Sequence, residues 1–242
     1  MKVALFPTCL VDKIDRDIVA DTITILKHFG ISVLNPNKPS CCGQIAFNMG
    51  KWNDAKKLTD NWLKIYNDNY DYIIAPSGSC VHMIRENMKK IYRNENSSLI
   101  SEIENISQKT YELVEFLYHI LNVREIPSSF TGKVTYHASC HYHRGLNRKT
   151  EPKELLKTIK NLEFIEMEKE DLCCGFGGLF SLKMDKLSIE MAKRKAIYIE
   201  ESRVEFVTTV DLSCLLNLGG ILSRNGSKIK PIHISTIFAD GL

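Results

Sequence analysis

Short unbroken apolar runs alternate along this chain with stretches whose apolar residues recur every three or four positions. Residues 3–6 form an apolar run that stops at Pro7, which predicts a buried strand. Over residues 15–29, Ile18, Val19, Thr22, Ile25, Leu26 and Phe29 have the spacing of one helix face, and Gly30 supplies a stop. A second strand is predicted over 31–34, then a Pro/Asn/Ser loop to Cys41, a helix over 55–66 and a third strand over 71–75. Pro76-Ser77-Gly78-Ser79 turns the chain into Cys80 and a helix over 81–92. The order then repeats. Strands are predicted over 133–137, 162–165 and 206–210, helices over 152–159 and 189–201, and Cys214 opens a further helix. Residues 231–234 predict a last short strand. Residues 93–108 are polar and read as a linker, whereas 111–121 return to helical spacing. The fold class is therefore α/β, with parallel sheet flanked by helices in each of two pseudo-symmetric lobes. The turn-rich segment 127–132 sets the expected boundary, giving lobes 1–126 and 127–242.

Composition narrows the class without naming a function. Hydrophobic residues at 44% and charged residues at 25% are those of a globular domain, so no disordered or fibrous reading is needed. A net charge of +3, with no Lys/Arg block and no aromatic-plus-basic pattern, gives no nucleic-acid partner. No segment approaches the roughly 20 apolar residues of a membrane-spanning helix, and the first apolar run is too short for a secretory signal core. A cytoplasmic location is expected. In a reducing compartment, cysteines serve as ligands or redox groups rather than as structural disulfides.

The eight cysteines divide into two matching sets. Cys9, Cys41, Cys42 and Cys80 recur as Cys140, Cys173, Cys174 and Cys214, at offsets of 131, 132, 132 and 134. Cys9, Cys80, Cys140 and Cys214 each follow a predicted strand. Sites in parallel α/β sheets form beyond the carboxyl ends of the strands, so each set is expected to converge at one end of its lobe. Four thiolates in rough tetrahedral array are what a four-iron, four-sulfide (4Fe-4S) cluster requires, which predicts one such iron–sulfur cluster per lobe. Neighbouring cysteines diverge on a helix or strand, so Cys41-Cys42 and Cys173-Cys174 must lie in irregular loops. There Gly43 and Gly175 permit close approach of the bound group. Structural zinc also suits four cysteines, but its usual Cys-x-x-Cys knuckle is absent.

His137, His141 and His143 surround Cys140, and His141 is the candidate ligand or proton donor among them. Arg144 and Arg148 in the same loop read as a solvated face. Gly175-Phe176-Gly177-Gly178 lacks the spacing of a nucleotide loop, and no hydrolase motif is present.

These motifs carry a resemblance over residues 3–235. Phe6-Pro7-Thr8-Cys9-Leu10, Cys41-Cys42-Gly43-Gln44, Pro76-Ser77-Gly78-Ser79-Cys80, Ser139-Cys140-His141, Cys173-Cys174-Gly175-Phe176-Gly177-Gly178 and Asp211-Leu212-Ser213-Cys214 resemble the lactate-utilisation iron–sulfur protein A family. That family shares the cysteine-rich (CCG) domain with the cysteine-rich subunit of heterodisulfide reductase and the iron–sulfur subunit of glycolate oxidase. The resemblance implies an electron-transfer subunit of a complex that oxidises L-lactate to pyruvate. Its implied partners are a ferredoxin-like iron–sulfur subunit and a third subunit. The broad CCG pattern ends in Cys-x-x-Cys, whose first position here is Ser77 in one lobe and Asp211 in the other. Either an ordinary cubane, or a cluster with Ser77 or Asp211 as oxygen ligand, follows from that departure. A heterodisulfide-type thiol–disulfide enzyme and a zinc-bound scaffold are the alternatives.

Overall fold

The computed structural model describes residues 1–36, 40–66 and 70–242. They form two compact units, Met1–Phe116 and Leu117–Leu242. The middle of the loop expected before Cys41 lies outside the described residues.

In the first unit, strands β1 (Val3–Leu5), β2 (Val33–Leu34), β3 (Tyr72–Ala75) and β4 (Thr110–Glu112) form one parallel sheet in the order β2-β1-β3-β4. In the second, β5 (Ser129–Tyr136), β6 (Lys160–Phe164), β7 (Phe206–Thr209) and β8 (Lys230–His233) repeat that order as β6-β5-β7-β8, again all parallel. The central strands are apolar runs buried on both faces, as parallel sheet demands: Val3, Ala4 and Leu5 are fully buried, as are Ile74 and Ala75. Helices close the faces. Asp17–His28 buries Ile18, Thr22, Ile25 and Leu26, the stripe read from sequence.

Two elements differ from expectation. Residues 97–108, read as linker, are the helix Ser97–Gln108, capped by the Asn96 side chain, which accepts from the Leu99 amide at 2.9 Å. Residues 111 and 112, read as the start of a helix over 111–121, belong instead to β4. The helix that follows it begins on Glu112, whose fully buried carboxylate accepts from the amides of Val114 and Glu115 at 2.7 and 3.3 Å. The segment 127–132 runs into β5 at Ser129.

In each sheet the strand order reverses between the first and third strands of the unit, β1 and β3 or β5 and β7. The crevice beyond their carboxyl ends is where doubly wound sheets bind ligands. Among the described residues, no helix is long and apolar enough to cross a membrane.

Candidate metal centre

Each cysteine set lies at this switch point. Cys9 opens the helix Cys9–Ile14 beyond β1, Cys80 sits in the helix Gly78–His82 beyond β3, and Cys41-Cys42 occupies the loop after β2. Cys140 follows β5, Cys214 lies in the helix Leu212–Arg224 beyond β7, and Cys173-Cys174 follows β6. All eight are free thiols. The sulfurs of Cys42 and Cys80 are 3.4 Å apart, and those of Cys174 and Cys214 are 3.1 Å apart.

The vicinal cysteines do leave regular structure, as their geometry requires. Gly43 and Gly175 follow them at φ +83° and +84°, conformations that L side chains avoid. The turn aims the glycine amide back at the first cysteine of each pair: Gly43 N–H donates to Cys41 Sγ and Gly175 N–H to Cys173 Sγ, both at 3.4 Å. A Cβ on Gly43 would stand 3.2 Å from the Ala55 carbonyl, and one on Gly175 only 2.6 Å from the Ser188 carbonyl. Around Gly175, Ser188 Oγ donates to the glycine carbonyl at 2.8 Å and Asn217 Nδ2 to the Cys174 carbonyl at 2.7 Å. Gly175→Ala is therefore expected to destabilise the fold by about 2–4 kcal/mol, from left-handed strain plus overlap with backbone. Gly43→Ala should cost about 1–2 kcal/mol. Denaturant unfolding of the two variants checks the order.

The thiols polarise one another. Cys41 is held down at about 3 by hydrogen bonds from the thiols of Cys42 and Cys9, and Cys173 at about 2 by those of Cys140 and Cys174. The donors are pushed the other way: Cys9 by its bond to Cys41, Cys140 by its bond to Cys173, and Cys42 and Cys174 by their thiol contacts and burial. In each lobe the first cysteine of the vicinal pair is thus the one whose thiolate is favoured, beside a glycine amide. In the metal-free chain, iodoacetamide at pH 5 should alkylate Cys41 and Cys173 first. Free thiols, with pKa near 8.5, are almost unreactive there. Peptide mapping by mass spectrometry reads the sites. Uniform labelling that appears only above pH 8 would contradict this.

Other predicted residues group unevenly. Ser77 caps the Cys80 helix, its Oγ accepting from Cys80 N–H at 3.4 Å and lying 3.2 Å from Ser79 Oγ. Asp211 is buried at the matching position and accepts from Ser139 Oγ at 2.6 Å. His141 Nδ1 lies 3.7 Å from Cys140 Sγ. His137 is fully buried, and a ring nitrogen, Cys174 Sγ and Cys214 Sγ lie within 4.8 Å of one another. Burial and the nearby Lys195 ammonium drive its pKa down to about 3, so the ring is neutral. Thr8, next to Cys9, holds a left-handed φ of 66°, a strained conformation for a β-branched residue.

Lys195 carried no motif in the sequence. It is fully buried on the helix Asp185–Glu201, and its Nζ donates to the carbonyls of Lys169 and Glu170 at 2.7 and 2.8 Å, just ahead of Cys173. Burial lowers it to about 8, which keeps it cationic at neutral pH. Its signal was positional: it shares the inward stripe of Ser188, Ala192 and Ile199.

The family profile described as "Cysteine-rich domain" (CCG) matches residues 3–85 and 134–219, one match in each unit. Lactate utilization protein A of Oceanobacillus iheyensis is 39% identical over 237 residues, 98% of this chain and 96% of that protein. The chain belongs to the lactate utilization protein A family. Its members from Geobacillus thermodenitrificans and Bacillus subtilis are 38% and 37% identical, each over 98% of both chains. In fold, the chain is similar to a hypothetical protein from Helicobacter pylori, with a TM-score of 0.63 at 15% identity. All of this chain is covered there, but it spans only 49% of that protein.

The residues present fit an iron–sulfur group or a soft metal. Thiolate is the donor such groups take, and each glycine leaves open a cradle that a Cβ would fill.

Proposed function

We propose that this chain is a cytoplasmic iron–sulfur electron-transfer subunit of a system that oxidises L-lactate to pyruvate. It would hold one 4Fe-4S cluster per lobe, and work with a ferredoxin-like iron–sulfur subunit and a third subunit. The observation that carries the reading is the duplicated convergence of four thiols on the switch point of a parallel sheet, in a chain whose relatives are named for lactate utilization. Cys9, Cys41, Cys42 and Cys80 would hold the first cluster, and Cys140, Cys173, Cys174 and Cys214 the second. Ser77 and Asp211 stand where an oxygen ligand would come from, and His141 would serve the second cluster from beside Cys140. A bound cluster supplies single-electron exchange, which suits a reaction that releases two electrons.

The protein's own contribution is to hold and tune. Gly43 and Gly175 donate N–H to sulfur, which stabilises negative charge there and raises the reduction potential. Burial of Cys42, Cys80, Cys174 and Cys214 excludes water from the inner half of each set.

A specific observation favours a second reading, a single tetrahedral ion such as zinc in each lobe. The sulfur pairs at 3.4 and 3.1 Å are closer than the roughly 3.8 Å that a tetrahedral ion with bonds of about 2.3 Å imposes, so either group must spread them, and an ion spreads them less.

The test is reduction by substrate. The chain, loaded without oxygen and mixed with its partner subunits, should lose visible iron–sulfur absorption when L-lactate is added, and not when the partners are omitted. Full absorbance with the complete set present would reject the electron-transfer role.

A further inference from the structure

The two lobes align residue by residue beneath their thiols, and there they differ. Phe6 N–H donates to the Ile74 carbonyl at 2.8 Å, and His137 N–H donates to the Thr208 carbonyl at 2.8 Å, so Phe6 and His137 occupy the same place in the two sheets. The Ala55 and Ser188 carbonyls face Gly43 and Gly175 in the same way. Two helical turns beyond them come Trp62 and Lys195. In the first lobe Phe6 packs edge-on against Trp62, ring centres 5.7 Å apart, and against Tyr66 at 5.5 Å. The second lobe replaces that aromatic pair with an imidazole and an ammonium, both fully buried.

A buried imidazole needs a partner, because an unpaired polar atom in an apolar interior costs free energy. Among the described residues, neither ring nitrogen of His137 closes a hydrogen bond. The Glu170 carbonyl beside the ring already accepts Lys195 Nζ. What the ring does face is sulfur, that of Cys174 and Cys214.

We propose that His137 joins Cys174 and Cys214 as a nitrogen ligand of the group held in the second lobe, in the position that one of the outer cysteines would otherwise take, whereas the first lobe has Phe6 at that place and offers no nitrogen. The inference rests on the metal-binding reading above. Lys195 completes the arrangement as a positioning residue. Its ammonium ties down the loop ahead of Cys173. A neutral imidazole adds no negative charge, and histidine ligation raises the potential of iron–sulfur centres. The second lobe should therefore hold the more easily reduced group.

The experiment uses the full chain, reconstituted without oxygen with ferrous iron and sulfide, and its iron and sulfide counted. Pulsed EPR of the reduced protein should show a strongly coupled nitrogen, and the pattern should change when histidine is labelled with 15N, which needs no variant. In His137→Phe, which installs the first lobe's residue, the coupling should vanish. At fixed poise the reduced-to-oxidised ratio of the second group should fall about tenfold, equivalent to 59 mV for one electron. A chain that binds iron and sulfide but shows no strongly coupled histidine nitrogen, or keeps the coupling in His137→Phe, overturns the proposal. A chain that takes up no sulfide rejects the cluster reading separately. The ligand question then passes to Zn2+ as the probe. X-ray absorption should find nitrogen at about 2.0–2.1 Å beside sulfur at about 2.3 Å, with that nitrogen lost in His137→Phe. Its persistence would overturn the assignment.

Discussion

Cys174→Ala is expected to bind half the iron and sulfide of the unaltered chain, and Cys42→Ala the same half-share from the other lobe. The double variant should bind none. Each cysteine is buried, each is within 3.4 Å of a second buried sulfur, and each lies in a separate compact unit with its own sheet. Alanine removes an inner, buried sulfur from each set and leaves that corner of the array without a donor. The lost side chain is small, so the fold should survive, which circular dichroism of the metal-free variants would establish. Iron and sulfide counts on the three variants give the answer. A single variant that loses both shares, or neither, would break the assignment of one group to each lobe.

The second large effect concerns what holds Cys80 in place. The helical run after Cys80 continues through Met83–Asn87, where Arg85 makes two hydrogen bonds of 2.8 Å to the fully buried carboxylate of Glu115, just beyond β4. This pair ties the cysteine-bearing helix to the edge of its sheet. Arg85→Met takes the cation and both hydrogen bonds away from a buried carboxylate, which should destabilise the fold by about 3–5 kcal/mol. Adding Glu115→Gln to Arg85→Met should recover part of that loss, because a neutral amide is less costly to bury without the cation than a carboxylate is. Urea unfolding of the two variants tests this. Equal destabilisation in both would mean that the pair contributes only through packing.

The sequence showed the frame of the molecule more clearly than its interior. Apolar runs at 3–6, 71–75 and 206–210 marked strands because parallel sheet buries both faces, and the repeat of the cysteines exposed the duplication. β4 was missed because it spans only Thr110–Glu112 and ends in a charged residue, one that is buried because it caps the next helix. The helix Ser97–Gln108 was missed because Ile103 and Ile106 are its main buried apolar residues in a polar stretch. At the site, the cysteines and glycines were legible as motifs. His137 was visible as one of three histidines near Cys140, but its burial against Cys174 and Cys214 depends on β5 lying beside β7. Lys195 resembled any other lysine of a charged helix until the packing turned it inward.

The most direct measurement is the iron, acid-labile sulfide and zinc content of the chain purified without oxygen, with EPR of the reduced and oxidised forms. About eight irons and eight sulfides per chain are expected, with signals from two unlike centres. Two zinc ions per chain and no sulfide would contradict this.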